Sequence, residues 1–264
     1  MLRLSVLLLI LFGVGLSSCA QQPFFTDDAD VTAKRSFHFE LSNQFSLLQD
    51  TAFPNQQQNA LVYQLNYGLR DGLEISIDSP HLVIINARQT VSPRVPMGVG
   101  DTNLAVKWNF RQERDTSRWP ALTMAFAVEV PTGDSSTQLG SGVFDYRLIA
   151  IAQKTLGRRT TLRVNQGLLF SGNTLTGVVG LGGQGVVYLA GVSLVRRFAP
   201  RLSLGVELTG ARAPGRRTSQ TALQEQFGGK YQTTERVSID FGVVSGQLGE
   251  SPRVGLQIGL SIDF

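Results

Sequence analysis

Two histidines, one cysteine and a glycine-rich run are the residues of this 264-residue chain whose types could carry chemistry. Hydrolysis by an activated nucleophile needs a Ser oriented beside a His. Only His38 and His81 exist, and no Gly-x-Ser-x-Gly elbow accompanies them. Gly180-Leu181-Gly182-Gly183-Gln184-Gly185 has the letters of a dinucleotide fingerprint. That motif works by opening a helix whose N-terminus holds phosphate, whereas here the strand-like Val186-Val187-Tyr188-Leu189 follows. The glycines read instead as an external loop. Cys19 is the only cysteine, so an intrachain disulfide and a Cys-based zinc site are both excluded. The carboxylates lack the spacing of a calcium loop or of a glycosidase pair. The residues therefore point to no cofactor, no metal and no catalytic set, and an enzyme, with a barrel hydrolase as the rival class, is disfavoured.

What remains is a set of charges at regular polar positions, and the elements that place them come next. From Arg35 onward apolar residues recur at every second position, the period of a strand with one apolar and one polar face. Phe37, Phe39, Leu41, Phe45 and Leu47 alternate with Ser36, His38, Glu40, Ser42, Gln44 and Ser46; the chain ends with Val254, Leu256, Ile258, Leu260, Ile262 and Phe264 against Gly255, Gln257, Gly259, Ser261 and Asp263. Taking Ala222 to Ser245 as one strand gives eleven. Bacterial single-chain barrels have even strand numbers, and a break at Thr233-Thr234-Glu235 makes twelve. Short connections at 70–72, 156–159, 199–201 and 233–235 read as periplasmic turns. Longer ones near 50–58, 86–99, 132–142, 171–184 and 211–219 read as external loops, with 111–119 long for a turn.

The fold expected is all-β, a 12-stranded antiparallel transmembrane β-barrel in the bacterial outer membrane, with a secreted sandwich as the alternative. Charged residues make up 17% of the chain against about 25% in ordinary globular domains, and the one long apolar run is Leu4 to Leu16, so a helical membrane protein is excluded. Strands of 10 or more residues exceed the five or six usual in globular proteins. Tyr67, Trp108, Phe110, Trp119, Phe198 and Phe264 fall near predicted periplasmic strand ends, as an interfacial girdle would.

Residues 1–20 read as a signal peptide: Arg3, then an apolar core, then small residues. Ser18-x-Ala20 fits cleavage before Gln21, while Leu16-Ser17-Ser18-Cys19 fits a lipobox with lipidation of Cys19. Residues 21–34, with Asp27, Asp28 and Asp30 and no alternation, read as a periplasmic N-terminal tail, folding back into the lumen being the alternative. Residues 35–264 form the barrel. The net charge of +4, reduced to +3 without Arg3, is too mild for nucleic-acid binding.

Gly98-Val99-Gly100-Asp101-Thr102-Asn103-Leu104-Ala105-Val106-Lys107-Trp108, Pro131-Thr132-Gly133-Asp134 and Leu139-Gly140-Ser141-Gly142 resemble the recurring motifs of the outer-membrane barrel family labelled "MetA-pathway of phenol degradation" transporters. The resemblance covers most of residues 23 to 264 and implies outer-membrane passage of aromatic or other apolar compounds. The terminal alternation ending in Phe264 is similar to the signal by which the barrel assembly machinery recognises its clients for membrane insertion.

The parity turns Glu40, Glu74, Asp78, Asp101, Glu129, Asp145, Glu207 and Asp240 inward against Lys107, Arg147, Arg163 and Lys230. Asp101, Lys107, Glu129, Asp145, Arg147 and Arg163 are the consecutive inward charges on the fourth to seventh strands, and are the candidates for a selectivity or gating network, a structural salt-bridge ladder being the alternative. Unpaired charges of this kind must be hydrated or partnered. The function expected is a passive channel for small solutes, against a closed barrel with a salt-bridged lumen. The partners expected are outer-membrane lipid and lipopolysaccharide, the assembly machinery and a small-molecule solute. Arg88, Arg94, Arg212, Arg216 and Arg217 are loop cations that could meet lipopolysaccharide phosphates or simply be solvated.

Overall fold

The alternation requires a sheet with two unlike faces, and a membrane requires that sheet to have no free edge, because backbone groups left unpaired in lipid are costly. Both demands are met in the computed structural model, which describes residues 23–52, 55–86, 92–114, 118–171, 185–213, 221–248 and 251–264. Strands β1 (Phe37–Leu47), β2 (Asn55–Arg70), β3 (Leu73–Asn86), β4 (Met97–Val99), β5 (Thr102–Arg111), β6 (Ala121–Val130), β7 (Asp145–Leu156), β8 (Thr160–Ser171), β9 (Gly185–Ala199), β10 (Leu202–Arg212), β11 (Ala222–Gln232), β12 (Val237–Gly246) and β13 (Val254–Asp263) pair antiparallel with their neighbours. The ring closes where β1 pairs with β13, Phe39 opposite Ile262 and Phe45 opposite Leu256.

Two of these strands share one place in the wall. On β3, His81 pairs with Val99 of β4 and Asp78 with Asn103 of β5. Three steps along one strand match four along the other, so one extra residue bulges at Gly100-Asp101. With β4 and β5 counted together the wall has the expected twelve strands. The break that supplies the twelfth lies at residues 233–236, between β11 and β12.

Burial follows the period-two pattern. On β12, Ser238, Asp240, Gly242 and Val244 are buried while Ile239, Phe241 and Val243 are exposed. The exposed set continues around the wall through Tyr63, Ile77, Val106, Phe126, Leu148, Val206 and Ile258, an apolar belt of the kind that faces lipid. At the end carrying the short turns the aromatics gather. Phe37 lies 4.8 Å from Tyr67 and 5.7 Å from Phe264, Trp108 lies 5.5 Å from Phe110, and Arg111 covers Trp119.

The expectation of a periplasmic tail is corrected. Residues 23–32 lie inside the barrel, Ala33 and Lys34 are exposed where the chain leaves it, and the route is written in backbone contacts. Lys34 bridges Gly68, Arg35 adopts a left-handed backbone (φ 62°) and donates from its N to Gly68 O at 2.7 Å, and the chain then turns into β1. A Cβ on Gly68 would overlap the backbone of Ala33 and Thr32. Farther in, a Cβ on Gly205 would meet the Phe24 ring at 2.8 Å. The sequence-based boundary failed because this segment has no periodicity and owes its position to residues far along the chain.

The signal segment 1–20 with Cys19, the Gly180–Gln184 stretch, and Arg88, Arg216 and Arg217 lie outside the described residues.

Gly68→Val is expected to leave a folded barrel, seen as heat-modifiable mobility on a gel, while residues 23–34 become cleavable by added protease. Unchanged protection of the segment would refute the crossing at Gly68.

Candidate functional site

The inward face of a twelve-stranded wall encloses more space than its own side chains fill in an eight-stranded one, and here the chain itself occupies part of that space. Backbone groups of the N-terminal segment find wall partners one after another. Gln226 Nε2 donates to Pro23 O at 2.6 Å. Glu207 accepts from the N–H groups of Phe25 and Thr26 at 2.9 and 2.5 Å. Asn109 and Thr123 both donate to Ala29 O, at 2.5 and 2.6 Å, and Glu74 accepts from Thr32 N at 2.6 Å. A polar segment in a polar cavity is stable only with such pairing.

The side chains bring charge. Lys107 Nζ donates to Asp27 Oδ1 at 2.8 Å and to Asp28 Oδ1 at 3.2 Å, and Arg163 reaches Asp28 Oδ2 at 3.4 Å. The Lys107 and Asp28 side chains are only 5% and 4% exposed. Burial alone pushes the Asp28 carboxyl up, but the Lys107 and Arg163 charges outweigh it and hold the group below its usual 3.8. At Asp30 the same two cations act too weakly to win. Burial, then the Asp28 charge, push its carboxyl above the usual value, although Gln153 Nε2 donates to it at 2.9 Å. Around this lock Ala29 packs with Ala121 and Ile151, beside Ala125 and Ile149. These apolar inward positions were invisible to an alternation that assigned β7 a polar inner face.

A second inward element enters from the opposite end. From the β6–β7 connection Leu139, Gly140 and Ser141 fold into the barrel, and Leu139 packs on Leu82 and Ile84 of β3. Asp101, at the bulge, holds it: Oδ1 accepts from Gly133 N at 2.9 Å and Oδ2 from Ser141 N at 2.5 Å. Thr132 Oγ1 donates to Gly100 O at 3.0 Å. The three glycine-rich motifs singled out in the sequence thus meet in one knot.

Between segment and loop lies a chamber of about 530 Å³, with Phe25 and Thr26 toward one end and Leu139 and Gly140 toward the other. Its walls are unlike. Glu129, Asp145 and Arg147 line one part, Ile149, Leu169 and Leu189 another. Glu129 and Asp145 stand directly opposite each other across β6 and β7.

The six candidate charges therefore divide by task. Lys107 and Arg163 converge on the N-terminal segment, Asp101 anchors the loop, Asp145 accepts from Ser171 Oγ at 3.1 Å, and Glu129 and Arg147 border the chamber. They form no single ladder. Sequence reasoning missed Asp28 as their partner; the signal was three acids, Asp27, Asp28 and Asp30, ahead of a lumen with buried cations. Phe264 closes the seam, its backbone exchanging hydrogen bonds with Phe37 at 2.7 and 3.0 Å. His38 lies inside, bonded to Asp263 and Glu40 at 2.6 and 2.8 Å, and His81 is exposed on the outer face.

No protein-family model and no curated protein matches the chain. Solved structures do. An outer-membrane channel from Pseudomonas putida F1 superposes with a TM-score of 0.68 at 16% identity, covering 90% of this chain and 98% of its own. The NanC porin gives 0.57 at 9% identity over 85% and 98%. Outer-membrane phospholipase A from Escherichia coli gives 0.51 at 12% identity over 91% and 93%. The likeness is one of fold: this chain has the fold of an outer-membrane β-barrel, on which channels and a hydrolase are both built.

Asp28→Asn removes the carboxylate shared by Lys107 and Arg163 and is expected to cost the seated segment about 2 kcal/mol, roughly a thirtyfold rise in its opening by hydrogen exchange. Asp30→Asn should leave opening unchanged or reduce it. Because the Asp28 value is depressed on seating, its contribution is complete above the usual value of 3.8 and is lost as pH falls through the lower folded value. Protection of residues 23–34 should be flat at neutral pH and fall in acid, and equal opening of wild type and Asp28→Asn would contradict the lock.

Proposed function

We propose that this chain is a passive outer-membrane channel for small solutes, aromatic or otherwise apolar compounds among them, and that residues 23–34 are its periplasmic gate. The observation that carries the reading is the chamber of about 530 Å³ held between the seated segment and the Asp101-anchored loop. A chamber with Ile149, Leu169 and Leu189 on one side and Glu129, Asp145 and Arg147 on another suits a solute with an apolar body and one polar group. The motif knot at Gly100-Asp101, Gly133 and Ser141 supports membership of the phenol-degradation transporter family that these motifs resemble.

The mechanism is passive. Outward apolar residues hold the closed sheet in lipid. Inward charges set which ions and solutes enter the chamber. Passage to the periplasm needs residues 23–34 to leave the Lys107 and Arg163 contacts, so the Asp28 cluster sets how often the path is open. The six lumen charges act in two groups on this reading, Glu129, Asp145 and Arg147 on selectivity, Lys107 and Arg163 on gating, with Asp101 holding the loop. We assign the signal to residues 1–20, processed either by lipidation of Cys19 or by cleavage before Gln21. The C-terminal strand ending in Phe264 is the part read by the barrel assembly machinery, and cations at the long-loop end such as Arg94 and Arg212, the last residue of β10, meet lipopolysaccharide.

One observation favours a second reading, a closed structural barrel: nearly every polar group of the seated segment that was described above has a partner in the wall. Planar-bilayer recording separates the two. Deleting residues 22–33 is expected to raise the unit conductance above that of the wild type. A potassium chloride gradient should give a reversal potential of cation-preferring sign, reduced in a Glu129→Gln, Asp145→Asn variant. No current beyond the lipid baseline from folded wild type and folded deletion alike would establish the closed barrel.

A further inference from the structure

A second cavity of about 340 Å³ lies at the short-turn end of the lumen, with Pro23 and Phe24 of the seated segment in its lining. Arg158, Arg159, Arg163, Arg197 and Lys230 line it, and no Asp or Glu does. Strand register explains how cations from four elements converge. Ser203 of β10 pairs with Arg197 of β9 on one side and with Lys230 of β11 on the other, and Arg197 N donates at 2.8 Å to Arg159 O, which lies in the β7–β8 turn.

The nearest acids do not satisfy this set. Arg163 touches Asp28 through one terminal nitrogen at 3.4 Å, and its Nε is buried with no hydrogen-bond partner. Lys230 Nζ stands 3.5 Å from Asp240 and is likewise without a hydrogen-bond partner. Arg158, Arg159 and Arg197 make no ion pair among the described residues. Five like charges around one partly enclosed space repel each other and favour a counter-charge. Buried donors left unbonded are an added cost that an acceptor-rich ligand would remove.

We propose that this cavity is a binding site for a small multivalent oxyanion of the phosphate class. Guanidinium groups present paired donors that match phosphate oxygens bidentately, and a lysine ammonium adds a point charge. A site at this end faces the periplasmic side of the seated segment, whereas the acids Glu129 and Asp145 border the chamber beyond it. The site depends on the wall and on Pro23 and Phe24, not on conduction through the barrel.

The test is calorimetric titration of the full-length folded barrel, in a neutral detergent, with inorganic pyrophosphate against a sodium chloride control of matched ionic strength. Saturable binding at one site is expected, weakening as salt is added. An Arg159→Gln, Arg197→Gln variant should bind roughly tenfold more weakly, while an Arg159→Lys, Arg197→Lys variant, which keeps the charge, should lose less. Should the glutamine pair fail to fold, Arg158→Gln, in the exposed turn, is read by the same criterion. No heat beyond the chloride control, or binding of equal strength by wild type and glutamine variants, would overturn the site.

Discussion

Closure of the sheet is the constraint from which the rest of the molecule follows. Once β1 pairs with β13, no strand edge is left, and the two faces of every strand are assigned, one to the belt and one to the lumen. Twelve strands enclose an interior that the wall's own side chains do not fill. The inward charges then need water or partners. The chain supplies partners from its own N-terminal segment: Asp27 and Asp28 for Lys107, Asp28 again for Arg163, backbone N–H groups for Glu74 and Glu207. Seating that segment is a consequence of a closed, charged lumen, and it divides the interior into a chamber on one side and a cationic cavity on the other.

The wall was legible in the sequence because its rule is local. Alternation over ten residues marks a strand whatever it pairs with, and the inward set from Glu40 to Asp240 is the set the structure turns inward. Even the twelfth strand was reachable, since parity demanded a break and Thr233-Thr234-Glu235 offered one. The bulge at Gly100-Asp101 was not visible, because a one-residue slip shows only when both partners are known.

The interior was not legible for the opposite reason. Thr26 meets Glu207 and Ser193, Ala29 meets Asn109 and Thr123, and Leu139 meets Leu82 and Ile84, all contacts between residues distant in the chain. Residues 23–34 have neither period nor propensity to announce a place. The motif Leu139-Gly140-Ser141-Gly142 reads as a surface loop, and nothing local says that Asp101 draws it inward. Ile149 and Ile151 on the inner face of β7 contradict a simple polar-in rule, and they make sense only once Ala29 is set against Ile151.

In the proposed function residues 23–34, held against the lumen wall, govern passage through it. Thr26 Oγ1 lies 2.7 Å from Ser193 Oγ, which makes the two positions suitable for a reversible tether. In a Cys19→Ser background, the Thr26→Cys, Ser193→Cys variant should form a disulfide in the folded barrel. Its single-channel conductance is recorded before and after a reducing agent is added. A gate at these residues gives a current that is low while the tether holds and rises on reduction. A folded, tethered barrel that conducts as well as the reduced one would contradict it.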